Sequence, residues 1–594
     1  MKHSFSTGRF WATNFFITAL FFIVTYQLVQ LCVIRRPVLL DMAEKQSRLN
    51  VNIAPLRGQI LDRTGKELAT NLRVPSIYAI PRLLLKDEKA DLVKKVSSIL
   101  KMQPGVVAER FSRDKSFVWL KRKVNYEDAE SIRKLETPVL DVIKEYRRFY
   151  PQGDLLAQIL GFTDVDNHGL EGIELFLNKE LEGRAGGRFT KRDALGREIK
   201  AFEVRQISAV DGHKVTLTID QYIQYLTERA LDRAFTAWKA KGAMAIVMDA
   251  KTGKILAMAN RPSFDPNFYE KSVSESRRNR AITDMYEPGS VFKIVAASAA
   301  LNENKVSPED MFNCENGAYH YGSRTLHDVH SYGMLSFEDV IVKSSNIGTV
   351  KIASKLSPET LHSYIKAFGF GRSTGIDLPG EAPGFTRPPA QWSNTSPFNI
   401  PIGQEVMVTA LQMTTAMAVI ANGGYLVKPY MISKIEDQAG VVLREKEPLI
   451  KRTVIRPEVA AEMRRILYRV VEEGTGKSAR IPGIPVGGKT GTAQKVLPNG
   501  RGYSHSNFMA SFVGFAPADE PQFVMTVVLD DPHPLYYGGT VSAPVFKEVM
   551  ESALLYSGYV PTNSRKLEPL SEQKSDVPEN RPMIPSAASL GTRI

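Results

Sequence analysis

The chain has 594 residues, 43% of them hydrophobic and 24% charged, which is too long for a single core and too apolar for disorder throughout. Its 77 Lys and Arg against 64 Asp and Glu leave a net charge of +13, a balance that favours contact with lipid, nucleic acid or an acidic polymer without naming one. Cys32 and Cys314 stand outside any CxxC or His-paired spacing and the 9 histidines are scattered, which speaks against a disulfide framework, a structural metal site or any metal cofactor.

The first element is apolar. Phe10 to Ile34 reads FWATNFFITALFFIVTYQLVQLCVI without a charge, and at about 1.5 Å per residue it exceeds a hydrocarbon core of roughly 30 Å, so it predicts one transmembrane span. The run ends LCVIRR with no small-residue exit site, so it reads as an uncleaved anchor, and Trp11 and Tyr26 suit the membrane interfaces. Lys2 and Arg9 precede the span while Arg35, Arg36, Lys45 and Arg48 follow it, a count that alone would leave the large domain in the cytoplasm. Domains hundreds of residues long translocate largely regardless of charge, so chemistry must decide the orientation.

Beyond the anchor no repeat is evident, and composition divides the chain into two bodies and a tail. The first, about Val51 to Ile207, is mixed and turn-rich, with Gly-Arg-Ala-Gly-Gly-Arg at Gly183 to Arg188. The second opens with an alternating strand at Lys214 to Ile219 and apolar helical spacing at Gln221 to Phe235. AMAIVMD, the turn AKTG and KILAMAN then predict a hairpin of two buried strands. Near the end, SFVGFAP and FVMTVVLD read as further strands and VFKEVMESALLY as a helix. Strand pairs at both ends of a helical middle predict an α+β domain whose sheet joins the two ends. Pro561 to Ile594 is rich in Pro, Ser and charge without periodicity and is expected to be disordered.

The chemistry gathers at three places. In EPGSVFKIVAASAALNEN, Pro288-Gly289 makes a turn, Ser290 takes the N-cap or first turn, and the rest is apolar nearly all round. Ser290 and Lys293 share a face of that helix, where a lysine with a depressed pKa can activate a serine hydroxyl and the helix N-terminus can offer N–H groups to an oxyanion. The same spacing recurs at Ser98/Lys101, Ser112/Lys115, Ser131/Lys134, Ser363/Lys366 and Ser571/Lys574, so the Pro-Gly turn into an apolar helix is what sets Ser290 apart. Ser344-Ser345-Asn346 places short polar side chains between two apolar runs. Lys489-Thr490-Gly491-Thr492 follows Val486-Gly487-Gly488 as a strand whose glycine lets another backbone approach closely. A second Lys-Thr-Gly, at Lys251 to Gly253, falls in the hairpin turn and reads as a turn only.

Ser290/Lys293, Ser344/Asn346 and Lys489/Thr490/Gly491, in that order, resemble the penicilloyl-serine transferase pattern. ILDRTG after Arg57-Gly58, RRFYPQGDLLAQILGF and GLEGIELFLNKELEG further resemble the non-catalytic module of class B penicillin-binding proteins. Ala510 to Val549 is most similar to the division-specific members, although IGQEVMVTALQM at Ile402 to Met413 departs from the Gly-Tyr-Gly that such members often carry there. The resemblance implies an α+β fold with a membrane anchor, an elongated mixed pedestal, and a catalytic domain with an antiparallel sheet between helical layers. The expected division is a cytoplasmic segment at 1–9, the anchor at 10–34, the pedestal at 35–210, a transpeptidase domain at 211–558 and the disordered tail at 559–594.

The resemblance also implies a reaction, the cross-linking of peptidoglycan stem peptides, probed by β-lactams. In it Ser290 is the nucleophile, Lys293 its base, Ser344 the proton relay to the leaving amine and Asn346 a hydrogen-bond partner of the substrate amide. Lys489 keeps Lys293 neutral and attracts the terminal carboxylate; Thr490, Gly491 and Thr492 bind substrate. The N–H groups of Ser290 and Thr492 form an oxyanion hole worth roughly 3 kcal/mol per donor. The substrate lies outside the cytoplasm, so the expected location is the inner membrane with the N-terminus inside. The expected partners are nascent lipid-linked glycan, a membrane glycosyltransferase of the SEDS family and other division proteins. Rival readings are an elongation-type enzyme, a β-lactamase or β-lactam sensor, and an inactive division scaffold; no nucleic-acid motif appears. An E-x-x-L-N pattern of the kind that serves class A β-lactamases occurs at Glu174 to Asn178, well before Ser290, and reads as part of an amphipathic helix.

Overall fold

The computed structural model describes residues 7–561 apart from 116, 193–197, 200–204, 322–323 and 498–501, so all but the first residues of the expected tail lie outside the described residues. The apolar segment forms helix α1 (Thr7–Val29), continued by a π-helical turn at Gln30–Ile34. Thr13 and Thr25 donate their hydroxyls to the carbonyls of Arg9 and Phe21, at 2.7 and 2.8 Å, which satisfies them within the helix as lipid surroundings require.

The pedestal is organised by a seven-stranded sheet. It contains β1 (Ile60–Leu61), β2 (Glu67–Ala79), β3 (Val118–Lys121), β4 (Leu140–Phe149) and β5 (Lys214–Leu217). β2 pairs along its length with β4, from Thr70 opposite Phe149 to Ala79 opposite Leu140. A short helix, α2 (Gly172–Phe176), brings Glu174 into the interior. There its carboxylate meets Arg57 Nε and Arg148 Nε, both at 2.6 Å, and all three side chains are almost wholly buried. Burial alone would raise the pKa of Glu174, but the two guanidiniums hold it below the ordinary carboxylate value. The E-x-x-L-N pattern is thus an internal tie, with Asn178 accepting from Arg57 as well.

The catalytic half is built on a five-stranded antiparallel sheet in the order β7-β6-β10-β9-β8. Its strands are β6 (Gly242–Asp249), β7 (Ile255–Arg261), β8 (Gly487–Val496), β9 (Tyr503–Ala516) and β10 (Phe523–Asp530). The first two come from the beginning of the segment and the last three from its end, as the strand-helix-strand pattern predicts. Both faces are covered, so alternate side chains of each strand enter different cores. Ala243, Ala245 and Val247 pack with α3 (Gln221–Ala237) and α7 (Ala543–Tyr556), whereas Met244, Ile246 and Met248 join the main core with α6 (Ala410–Ala421). Asp220 caps α3 by accepting from the N–H groups of Tyr222 and Ile223.

One feature departs from a division at residues 210–211. β5, placed by sequence at the head of the second body, pairs in parallel with β1 of the pedestal and antiparallel with Ile432–Glu436 of the catalytic half. The reason is pairing demand: β5 has two open edges, and each half supplies one strand to cover them.

Candidate active site

The site lies where β8, an edge strand of the five-stranded sheet, meets the start of α4 (Lys293–Asn302). Gly289 adopts φ +57°, and its N–H donates to the Gly403 carbonyl at 3.1 Å. The chain then makes a 3-10 turn, Gly289–Phe292, into α4, whose residues from Lys293 to Leu301 are buried. Ser290 is half-buried at that turn. Gly491 on β8 is what admits the turn: a Cβ there would lie 2.6 Å from Val291 and 2.9 Å from the Pro288 carbonyl. The close approach expected of this glycine is therefore present.

The turn of α4 that carries Lys293 points it at the second motif. Lys293 Nζ donates to the Ser344 carbonyl at 2.6 Å and to Asn346 Oδ1 at 2.8 Å, and stands 3.2 Å from Ser344 Oγ. From the strand side, Lys489 Nζ donates to Ser344 Oγ at 2.8 Å. Lys293, Ser344, Asn346 and Lys489 thus form one connected set, with Ser344 Oγ between the two lysines. Ser344 holds its position through a left-handed backbone, φ +61°, a conformation costing a non-glycine residue about 1–2 kcal/mol. Ser345 then caps α5 (Asn346–Ala353) by accepting from the Gly348 N–H at 2.9 Å. Asn346 Nδ2 donates to the His327 carbonyl at 2.9 Å, which fixes the amide so that its oxygen faces Lys293.

Both lysines are wholly buried. Desolvation, then the charge of Lys489, pushes the Lys293 pKa well below its ordinary value, and burial brings Lys489 down to about 7. A neutral Lys293 fits its surroundings. Its two N–H bonds have two acceptor-only partners, the Ser344 carbonyl and Asn346 Oδ1, which leaves the lone pair free to take a proton.

Thr490 and Thr492 share the opposite parity of β8, and each hydroxyl has a partner within the protein. Thr490 Oγ1 lies 2.6 Å from Thr475 Oγ1, and Thr492 Oγ1 accepts from the Gly538 N–H at 3.1 Å. Each arrangement still leaves one hydroxyl proton to point outward, because a hydroxyl that accepts from an amide, or a pair sharing one hydrogen bond, retains a donor.

Several supporting residues carry no signal in the sequence. Asp328 accepts from Ser345 Oγ at 2.6 Å, from the Ile347 N–H at 3.1 Å and from the Asn346 N–H, and so fixes the start of α5. Thr475 and Gly403 likewise reach the site from loops, and Gly538 from the start of a short helix, Gly538–Val541, none of them marked by any periodicity. The incidental motifs stay outside it. Thr252 of the first Lys-Thr-Gly bonds Asp249 within the hairpin turn, and Ser112 and Ser363 bond carbonyls of their own helices. Ser571/Lys574 lies outside the described residues.

Comparison with known proteins agrees with this geometry. Residues 243–551 match the penicillin binding protein transpeptidase domain, and residues 52–217 match the penicillin-binding protein dimerisation domain. The chain is 36% identical to stage V sporulation protein D of Bacillus subtilis over 89% of its own length and 82% of the relative's. It is 33% identical to peptidoglycan D,D-transpeptidase FtsI of Escherichia coli K12, over 88% and 87% of the two chains. Among solved structures, penicillin binding protein 3 of Mycobacterium tuberculosis, complexed with ampicillin, superposes with a TM-score of 0.68 at 30% identity, covering 86% of this chain and 97% of that one.

Proposed function

The chain belongs to the class B penicillin-binding proteins, serine-type peptidoglycan D,D-transpeptidases that bind β-lactams, and from that premise we propose how its residues divide the work. Ser290 attacks the carbonyl of the penultimate D-alanine of a donor stem while Lys293 takes the hydroxyl proton. The N–H groups of Ser290 and Thr492 hold the developing oxyanion. Ser344, placed between the two lysines, returns a proton to the departing D-alanine amine, leaving an acyl-Ser290 ester. An amine of a neighbouring stem then attacks that ester and restores the free serine. Lys489 with the outward hydroxyls of the Thr490 and Thr492 groups receives the terminal carboxylate, Asn346 orients the substrate amide through its remaining N–H, and Gly491 keeps β8 open to a peptide that adds as a strand.

The observation that carries this reading is the pair of contacts Lys293 Nζ to Asn346 Oδ1 and Lys489 Nζ to Ser344 Oγ, both 2.8 Å, which join all three motifs. Labelling membranes with a fluorescent penicillin tests it: the full chain should label stoichiometrically and Ser290→Ala should not label. The ester should persist for many minutes, because Glu174 is locked between two arginines and cannot activate water at the site. Turnover of benzylpenicillin many times per second would favour the β-lactamase reading instead.

The protein is anchored in a membrane by its N-terminal helix. We place it in the cytoplasmic membrane with the N-terminus inside and both modules outside, because its substrate is assembled there. A reporter active only outside the cytoplasm, fused after Ser557, should give signal. Asn14, Thr18 and Thr25 fall within about 40° of one another on α1, a polar stripe suited to hydrogen bonds with another transmembrane helix. That stripe supports a membrane glycosyltransferase of the SEDS family as partner. The likeness of Ala510 to Val549 to division-specific members supports work at the septum, so depletion should give filaments without septa; rounded cells would favour the elongation role.

A further inference from the structure

Away from the catalytic residues, a cavity of about 180 Å³ opens between loop 369–375, the strand Ile450–Thr453 and α6. Arg372, Ser373, Thr374, Thr415, Lys451 and Arg452 line it in part. Three of these are cations, and among the described residues no acid lines it. Two further lysines stand at the same loop: Lys366 Nζ donates to the Gly371 carbonyl at 3.3 Å, and a Cβ at Gly375 would lie 3.6 Å from Lys428 Nζ.

The acids within reach are committed elsewhere. Glu381 accepts from the N–H groups of Thr374 and Gly375, at 2.6 and 2.9 Å, and Asp377 is paired with Lys446. Arg372, Lys428 and Arg452 have no ion pair among the described residues. The cations feel one another: desolvation, then the charge of Lys428, pushes the Lys451 pKa down, with Glu381 opposing that and Arg452 adding to it. Desolvation, then the charge of Arg372, lowers Lys366 as well. Like charges gathered without a counter-charge repel, and an anion between them relieves that repulsion.

Chemistry and size narrow the anion. Planar guanidiniums bind carboxylates and phosphates two bonds at a time, and a single carboxylate answers only one of the charges gathered here. A free or terminal phosphate brings close to two charges and at least three acceptor oxygens. Ser373 keeps its hydroxyl and its N–H free of protein partners, as Gly371 and Arg372 keep their N–H groups, and successive free N–H groups of a turn are the backbone's own means of holding such an ion. The cavity holds one phosphate with a few attached atoms and is too small for a sugar chain or a stem peptide, since sites for drug-sized ligands run to roughly 300–1,000 Å³. We propose that this cavity is a binding site for a terminal phosphate, free or as a monoester, held by Arg372, Lys451 and Arg452 with Ser373 as a further donor. It is separate from the catalytic set and does not depend on Ser290 being the nucleophile.

The test titrates the full chain, in a phosphorus-free detergent and at constant ionic strength, with inorganic phosphate, with glycerol phosphate and with acetate, binding being read by isothermal titration calorimetry. At least one of the two phosphates should bind saturably, one per chain, and acetate should not. Arg372 and Arg452 are exposed at the rim, so the double variant Arg372→Gln/Arg452→Gln should keep its circular dichroism spectrum while its affinity falls at least about tenfold, given what hydrogen bonds to charged groups contribute. Binding of inorganic phosphate alone identifies the free ion as the ligand, and binding of glycerol phosphate identifies a monoester; both support the proposal. Saturation by neither, an equal response to acetate, or an undiminished affinity in the double variant overturns it. So does loss of binding after treatment with benzylpenicillin, which would place the ion at Lys489 instead.

Discussion

At the scale of single residues, the site depends on two lysines that the fold keeps away from water. Replacing Lys293 with Ala should leave membrane insertion and the circular dichroism spectrum unchanged while lowering the penicillin acylation rate by 10²-fold or more, the usual cost of a lost general base. Near-normal acylation would place the base elsewhere. The pH dependence follows from the same burial. Lys293 acts when neutral, so acylation rises with pH through its depressed pKa. The charge of Lys489 contributes to that depression, so in Lys489→Met the residual acylation should rise only at higher pH. Stability moves the other way. Both lysines titrate lower in the folded chain than in the unfolded one, so the unfolded chain binds more protons between about pH 7 and 10.5. Stability therefore rises with pH across that window, and the burial penalty is largest below it. Lys489→Met removes part of the penalty, and calorimetry at pH 7 should show the catalytic half melting about 2–4 °C higher although it acylates poorly.

At the scale of elements, reactivity depends on how closely the Gly289–Phe292 turn seats against its neighbours. Gly403 has φ +84°, and a Cβ there would lie 2.2 Å from the Gly289 carbonyl oxygen and 2.7 Å from its nitrogen. Gly403→Ala must therefore move the backbone that presents Ser290. Displacements of about 1 Å commonly cost 10²-fold in rate, so acylation should fall by at least about tenfold in a chain that stays folded by tryptophan fluorescence. A rate within twofold of wild type would mean that the turn tolerates the shift. Asp328 works on the same level, since it holds the start of α5 and through it Asn346 and Ser344.

At the scale of the whole molecule, β5 ties the pedestal to the catalytic half, with β1 on one side and Ile432–Glu436 on the other. A chain beginning at residue 243, where the transpeptidase domain match starts, lacks β5 and exposes the edge of Ile432–Glu436. It should accumulate in the insoluble fraction, as open strand edges do. A chain beginning at residue 52, where the dimerisation domain match starts, should be soluble and bind penicillin one to one. Equal soluble yields from the two would show that the shared sheet is dispensable.

The sequence alone determined what short-range physics encodes. An uncharged apolar run gives α1, short apolar runs give β6, β7, β9 and β10, period-3.6 spacing gives α3, and three short motifs in order mark Ser290, Ser344 and Lys489. Each depends on neighbours within a few residues, so each is visible without the fold. Only the tertiary structure decided that Lys293 and Lys489 meet at one Ser344 hydroxyl, that Gly403 seats Gly289, that Glu174 is tied to Arg57 and Arg148, and that β5 belongs to both halves. These contacts join segments tens to hundreds of residues apart, and their partners are fixed by packing and strand pairing rather than by any local pattern.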